Sequence, residues 1–288
     1  MKIWITGASG LSGRAVTKIL SESFDVFASG FSRLGEGLSK VDLTSETEVE
    51  RVFMDVEPDA VIHLAAERNP DVCENNHLKT VKLNVESSRR LASLCKKYNS
   101  WLLYMSTDYV FDGSNPPYEV DDKTRPLNFY GDSKLKGEEA VLSELSSACI
   151  LRVPVLYGGV ENLGESAVTS IAKSLLSKEE VSVDHWAIRY PTLVDDVGRT
   201  IEMMLKVLPS GIFHYSASES MTKYEILKIM ASELNLPFDH AKPVPGKPAG
   251  APRPYNCQLS VSALKEIDCY AQPTSISTVI GEILSKHI

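Results

Sequence analysis

The chain has 288 residues, 43% of them hydrophobic and 24% charged, with a formal net charge of -8. That supplies apolar material for a large core, and its acidic balance argues against nucleic acid as a main partner, because phosphate backbones call for clustered Lys and Arg. The five cysteines, Cys73, Cys95, Cys149, Cys257 and Cys269, are odd in number and form no CxxC pair, which excludes a disulfide framework and a zinc spacing and reads as reduced thiols, several of them core residues.

The chain enters an apolar run at 2–6 that predicts the first strand, with no signal peptide before it. Then comes Thr6-Gly7-Ala8-Ser9-Gly10-Leu11-Ser12-Gly13-Arg14, leading into a helix predicted over 11–21. In this strand–turn–helix setting the GxxGxxG spacing points to a dinucleotide. Gly7 allows the tight turn, Gly10 lets the backbone approach a pyrophosphate, and Gly13 permits close helix–strand packing. The helix N-terminus adds free N–H groups.

A second strand is predicted over 26–29, followed by Ser29-Gly30-Phe31-Ser32-Arg33. An acid expected there for the ribose hydroxyls of NAD is missing, whereas Arg33, with Arg14, can pair with a 2′-phosphate. NADP(H) is therefore expected over NAD(H), although either arginine can equally be a solvated surface residue. Asp42-Leu43 follows a third strand at the place where the adenine would be covered.

Helix 46–56, strand 60–63, helix 80–97, strand 101–106, helix 130–145 and strand 149–153 continue the alternation. Such βαβ units predict an α/β fold, a Rossmann-type doubly wound parallel sheet with ligands at the strands' carboxyl ends. Ser106 and Thr107 close the fifth strand, and Tyr130 and Lys134 sit four apart on one face of the next helix. A lone YxxxK is usually structural. Placed in order after the glycine turn and a strand-end hydroxyl, it predicts a site for a hydroxyl or carbonyl compound. Thr107 would orient the substrate oxygen. Tyr130 would exchange the proton, and Lys134 would favour phenolate and hold the nicotinamide ribose. Thr107-Asp108-Tyr109 lacks the Glu that a sugar-nucleotide dehydratase would need.

Beyond about residue 158 the rhythm changes. Helices are predicted over 166–177, 194–207 and 223–234, a strand over 211–215, and irregular structure across the Pro-rich stretch 237–254. The expected organisation is an NADP-binding Rossmann domain at 1–158 and a smaller substrate or partner lobe at 159–288, interleaved so that some elements return to the core. His185 and Trp186 read equally as pocket neighbours or as a satisfied pair in that lobe. The six histidines are dispersed and show no metal-ligand spacing. No apolar stretch reaches a membrane span, so the protein is expected to be soluble and cytoplasmic.

Two related families resemble the chain across nearly its whole length. Ser106-Thr107-Asp108-Tyr109-Val110-Phe111-Asp112-Gly113, Pro126-Leu127-Asn128-Phe129-Tyr130-Gly131 and Arg253-Pro254-Tyr255-Asn256 are similar to the dTDP-4-dehydrorhamnose reductases. Ala65-Ala66-Glu67-Arg68-Asn69-Pro70-Asp71-Val72, Leu151-Arg152-Val153-Pro154-Val155-Leu156-Tyr157-Gly158 and Glu165-Ser166-Ala167-Val168-Thr169 resemble more closely the regulatory β subunits of methionine adenosyltransferase. So do Asp184-His185-Trp186, Arg189-Tyr190-Pro191-Thr192 and Met221-Thr222-Lys223-Tyr224-Glu225. The resemblance implies cofactor contacts at Ser9, Gly10, Leu11, Ser12, Phe31, Ser32, Arg33, Asp42, Leu43, Leu64, Arg68, Tyr130, Lys134 and Leu156. It also implies a methionine adenosyltransferase catalytic subunit as partner.

Deoxysugar reductases carry Thr-Ser-Trp where this chain has Val153-Pro154-Val155, which removes hydroxyls and an aromatic plate from the pocket wall. The sequence stops at Lys286-His287-Ile288, without the C-terminal extension by which vertebrate β subunits dock. Docking is then expected on another surface, or an older catalytic role persists. Three readings stay open: a regulatory subunit, an NADPH-dependent reductase of a 4-keto-6-deoxy sugar nucleotide, and a cofactor sensor without turnover.

Overall fold

Each central strand alternates its side chains between two apolar faces, so a sheet built from them must be covered on both sides. In the computed structural model, which describes residues 1–247 and 250–288, this is the arrangement found. In chain order the first half runs β1 (Lys2–Thr6), α1 (Leu11–Leu20), β2 (Asp25–Gly30), β3 (Ser39–Lys40), α2 (Glu46–Val56), β4 (Ala60–His63), α3 (Pro70–Asn75), α4 (His77–Val81), α5 (Ser87–Tyr98), β5 (Trp101–Thr107) and α6 (Phe129–Glu144). There follow β6 (Cys149–Val153), β7 (Leu156–Tyr157), β8 (Val181–Asp184), β9 (Thr192–Leu193), α7 (Val194–Val207), β10 (Gly211–His214), α8 (Lys223–Glu233), β11 (Ala241–Val244), α9 (Ser262–Glu266) and α10 (Ile276–Leu284).

Seven strands form a parallel sheet in the order β10-β6-β5-β4-β1-β2-β3. The order reverses between β1 and β4, the switch point where a doubly wound sheet opens a crevice. Ile3, Ile5, Leu103, Met105 and Leu151 pack with Val16 and Leu20 of α1 and Val197, Ile201 and Met204 of α7. The alternate residues Trp4, Val61, Leu102, Tyr104 and Ile150 pack on the other face with Val49 and Phe53 of α2, Leu91 of α5 and Val141 of α6. A third cluster joins Val168, Ala172 and Leu175 to α8 and to Ile276, Ile280 and Leu284 of α10.

The helix starts carry local signals. Ser45 caps α2, Asn128 caps α6 through the Gly131 amide, and Thr222 with Glu225 forms a capping box on α8.

Three sequence expectations change. The helix predicted over 80–97 is interrupted by a π turn, Lys82–Glu86, between α4 and α5. There the Asn84 side chain turns to Glu67 and Ser133, while its carbonyl accepts the Ser88 hydroxyl. The helix predicted over 166–177 is a 3-10 helix, Thr169–Leu176, whose Thr169 hydroxyl donates to the Leu163 carbonyl. Within the Pro-rich stretch, residues 248 and 249 lie outside the described residues, and β11 forms by pairing in parallel with β8. Pro243 fits there because β11 pairs with β8 alone. All five cysteines are buried and free. Among the described residues no helix is long and apolar enough to cross a membrane.

Candidate functional site

A cavity of about 940 Å³ opens at the carboxyl ends of the parallel strands, large for a ligand pocket. Its walls come from the segments that follow β1, β2, β4, β5 and β6. Gly7, Ser9, Gly10, Leu11, Ser12, Gly13, Phe31, Ser32, Arg33, Asp42, Leu43, Leu64, Arg68, Thr107, Tyr130, Lys134 and Leu156 all line it. The residues singled out as a site in the sequence thus meet in one space. His185 and Trp186 are not part of the wall: His185 Nδ1 lies 2.8 Å from Thr222 Oγ1, and Trp186 packs against Tyr255.

The glycine turn has a geometric reason at each position. Gly7 sits at φ +71°, and a Cβ there would stand 2.7 Å from the Ala65 nitrogen, across the switch point. At Gly13 a Cβ would come within 2.1 Å of the Gly7 carbonyl oxygen. Gly13 therefore closes α1 onto the turn itself, a tighter contact than the expected packing of helix on strand. Gly10 is looser, with 3.2 Å to the same oxygen, and it begins α1 with no side-chain cap. The first-turn N–H groups of α1 are left for a ligand at the cavity wall, as phosphate binding requires.

The arginines expected to meet a phosphate are engaged by a residue of this chain. Arg14 forks onto Glu165, Nη1 to Oε1 at 2.8 Å and Nη2 to Oε2 at 2.6 Å, and Arg33 Nη1 donates to the same Oε1. Arg68 donates to the Glu165 backbone carbonyl at 2.5 Å. Burial alone would raise the Glu165 carboxyl, but Arg14, the Glu161 amide and Arg33 hold it at about 2.

At the other end of the crevice Thr107 ends β5, and Tyr130 and Lys134 occupy the first turns of α6. The Lys134 ammonium is buried 3.9 Å from the centre of the Tyr104 ring. It forms no ion pair among the described residues. Burial lowers it to about 7 against the opposing pull of Glu138. Burial also raises the Tyr130 phenol, opposed by the Thr107 hydroxyl. Desolvation is the larger effect and favours the neutral phenol of Tyr130. Ser106 is diverted: its hydroxyl donates to Glu138, whose carboxylate pairs with Arg152 at 2.7 Å in the interior.

Several lining residues had been given no role from the sequence. Arg189, Lys223 and Arg253 bring three cationic side chains to the cavity beside Tyr109. Burial lowers the Lys223 ammonium, and its neighbours Arg189 and Arg253 add to the effect. Asp108 is buried and raised to about 7 by desolvation, with Arg189 opposing. The signal for the three cations was their place in segments shared with relatives. Glu165 stood in such a segment too, as a lone acid with no pattern pointing to the arginines it meets.

The RmlD substrate binding domain family model matches residues 1–286. The methionine adenosyltransferase 2 subunit beta of Xenopus tropicalis is 45% identical over 91% of this chain and 81% of its own length. A dTDP-4-dehydrorhamnose reductase of Mycolicibacterium smegmatis is 29% identical over 90% of this chain and 78% of its own. Among solved structures, the dTDP-4-dehydrorhamnose reductase of Bacillus anthracis in complex with NADP superposes with a TM-score of 0.87 at 27% identity, covering 99% of both chains.

Proposed function

The chain belongs to the RmlD substrate binding domain family, and on that premise we propose that it is an NADP(H)-binding regulatory subunit of methionine adenosyltransferase. In this reading it derives from a sugar-nucleotide reductase and works in the cytoplasm on S-adenosylmethionine synthesis. The observation that carries the reading is the 45% identity to a β subunit over 91% of the chain. The wall Val153-Pro154-Val155 supports it, offering no hydroxyl or aromatic plate to a sugar.

The residues present fit a dinucleotide phosphate. The 7–13 turn and the start of α1 would hold the pyrophosphate, and the backbone approach at Gly10 leaves room for it. Arg33 and Arg14 would meet the 2′-phosphate, which supports NADP(H) over NAD(H), since 29–33 supplies no acid for ribose hydroxyls. Phe31, Ser32, Asp42 and Leu43 would flank the adenosine. Leu64, Arg68 and Leu156 would line the path to the nicotinamide ribose, held by Lys134 and Tyr130. When bound, this group supplies hydride chemistry.

A second reading is an NADPH-dependent reductase of a 4-keto-6-deoxy sugar nucleotide. The observation in its favour is the set Arg189, Lys223 and Arg253 lining the same cavity as Thr107 and Tyr130. Those cations suit a diphosphate. Thr107 would orient the carbonyl oxygen and Tyr130 would donate to it.

The test mixes the chain with the methionine adenosyltransferase catalytic subunit of the same organism, with and without NADP, on a sizing column. A stable complex is expected. Two separate peaks, together with NADPH oxidation by a 4-keto-deoxysugar nucleotide that Tyr130→Phe abolishes, would replace the regulatory reading with the reductase.

A further inference from the structure

The segment 158–168 follows β7, brings Gly164, Ser166, Ala167 and Val168 to the cavity wall beside Arg33 and Arg68, and ties three separate strand ends together through one residue just behind that wall, Glu165. Glu165 receives Arg14 from the helix after β1 and Arg33 from the loop after β2, while its carbonyl receives Arg68 from the loop after β4. Its carboxylate is only 1% exposed and also accepts the Glu161 amide at 3.0 Å. Glu161 adds a second, exposed carboxylate 3.8 Å from Arg14 and 3.6 Å from Arg33. The two guanidiniums are thus already matched by two carboxylates.

A 2′-phosphate brings close to two further negative charges and three acceptor oxygens. It needs the same forked donors that Glu165 uses, and like charges sharing one site repel. We propose that Glu165 is the cofactor-specificity residue of this chain: an internal anion that holds the arginine pair and must yield it before a 2′-phosphorylated nucleotide can bind. NAD(H), with hydroxyls at that position, makes no such demand. Discrimination between the two cofactors is therefore set by the competition between Glu165 and the phosphate, not by Arg33 alone. Displacement also releases the 158–168 strap, whose side-chain ties to Arg14 and Arg33 are lost when the phosphate takes them.

This inference rests on the reading of Arg33 as the 2′-phosphate contact, and the experiment separates the two. Calorimetric titration of the full chain with NADP and with NAD is compared for the native protein, Glu165→Gln, Glu165→Asp and Arg33→Ala. Glu165→Gln is expected to bind NADP roughly tenfold tighter, the scale of one released charge-assisted hydrogen bond, and to change NAD far less. Glu165→Asp, which retracts the carboxylate by one methylene but keeps its charge, should fall between and guards against misfolding of the Gln variant. Unchanged or weaker NADP binding in both Glu165 variants, with Arg33→Ala still impaired, overturns the competition and leaves the 2′-phosphate site standing. Equal losses of NADP and NAD in Arg33→Ala overturn the site and the competition together. Limited proteolysis supplies an independent readout: cleavage within 158–168 should rise with NADP and not with NAD, and equal protection by both would count against displacement.

Discussion

Replacing Arg152 with Met would isolate the most deeply buried charge pair among the described residues. Arg152 and Glu138 are each 3% exposed, and the guanidinium reaches both carboxylate oxygens, Nη2 to Oε2 at 2.7 Å and Nε to Oε1 at 3.0 Å. It also packs over the Phe111 ring, 5.2 Å from its centre. In Arg152→Met the buried carboxylate keeps the Ser106 hydroxyl but loses its paired cation. Breaking a buried pair in this way costs about 3–5 kcal/mol. For a chain of this size that corresponds to a fall in melting temperature of roughly 6–20 °C. The control is the double variant Glu138→Leu/Arg152→Met, which removes both charges and should recover most of the loss. Urea denaturation followed by circular dichroism measures both. A single variant within about 1 kcal/mol of native, or a double variant no better than the single, would refute the account of Glu138 as a charge compensated chiefly by its pairing with Arg152.

Two other substitutions test the glycine turn against each other. Gly13→Ala must move the Gly7 carbonyl by about an ångström to reach ordinary contact, so both stability and NADP affinity should drop. Gly10→Ala, with 3.2 Å available, should unfold within about 1 kcal/mol of native yet lose NADP affinity, because its methyl would stand where the pyrophosphate is proposed to approach the backbone. Matching affinity losses and matching melting curves in the two variants would contradict the division of roles. Asp108 gives a pH test. Its carboxyl is raised to about 7 in the folded chain. Folding then binds a proton that the unfolded chain releases above its ordinary carboxylate range. The stability Asp108 contributes is present in acid and lost as pH rises to about 7. Asp108→Asn should therefore gain stability relative to native between pH 5 and pH 7.5, and parallel curves across that range would remove the claim.

The central sheet could be read from the sequence because its strands are apolar runs punctuated by turns and helices. Ile3 and Ile5 face one layer and Trp4 the other, a period that needs no tertiary knowledge. The glycine turn and the Tyr130/Lys134 spacing were legible for the same reason: both are local patterns within a dozen residues. What escaped was set by partners far along the chain. β7 and β9 are two-residue strands defined only by the neighbour they meet. β11 exists because Ala241 through Val244 pair with 181–184, sixty residues earlier in the chain. The π turn at 82–86 follows from Asn84 reaching Ser133, a contact with no trace in the helical period. Glu165 belongs with these, since nothing in its own surroundings announces three arginines from one helix and two loops elsewhere in the chain.

The packing of α7 against α1 carries a consequence for anyone wishing to borrow the nucleotide-binding half. Val197, Ile201 and Met204 share a buried cluster with Val16 and Leu20, and a Cβ at Gly198 would stand 2.6 Å from Ile19. β10 meanwhile supplies the sheet edge next to β6. A fragment ending near residue 158 would strip the cover from α1 and bare one side of the last remaining strand, an invitation to aggregation. A portable module would have to be discontinuous, keeping residues 1–158 and 194–215 together with the segment around α9, whose Leu264 and Cys269 share the same buried cluster.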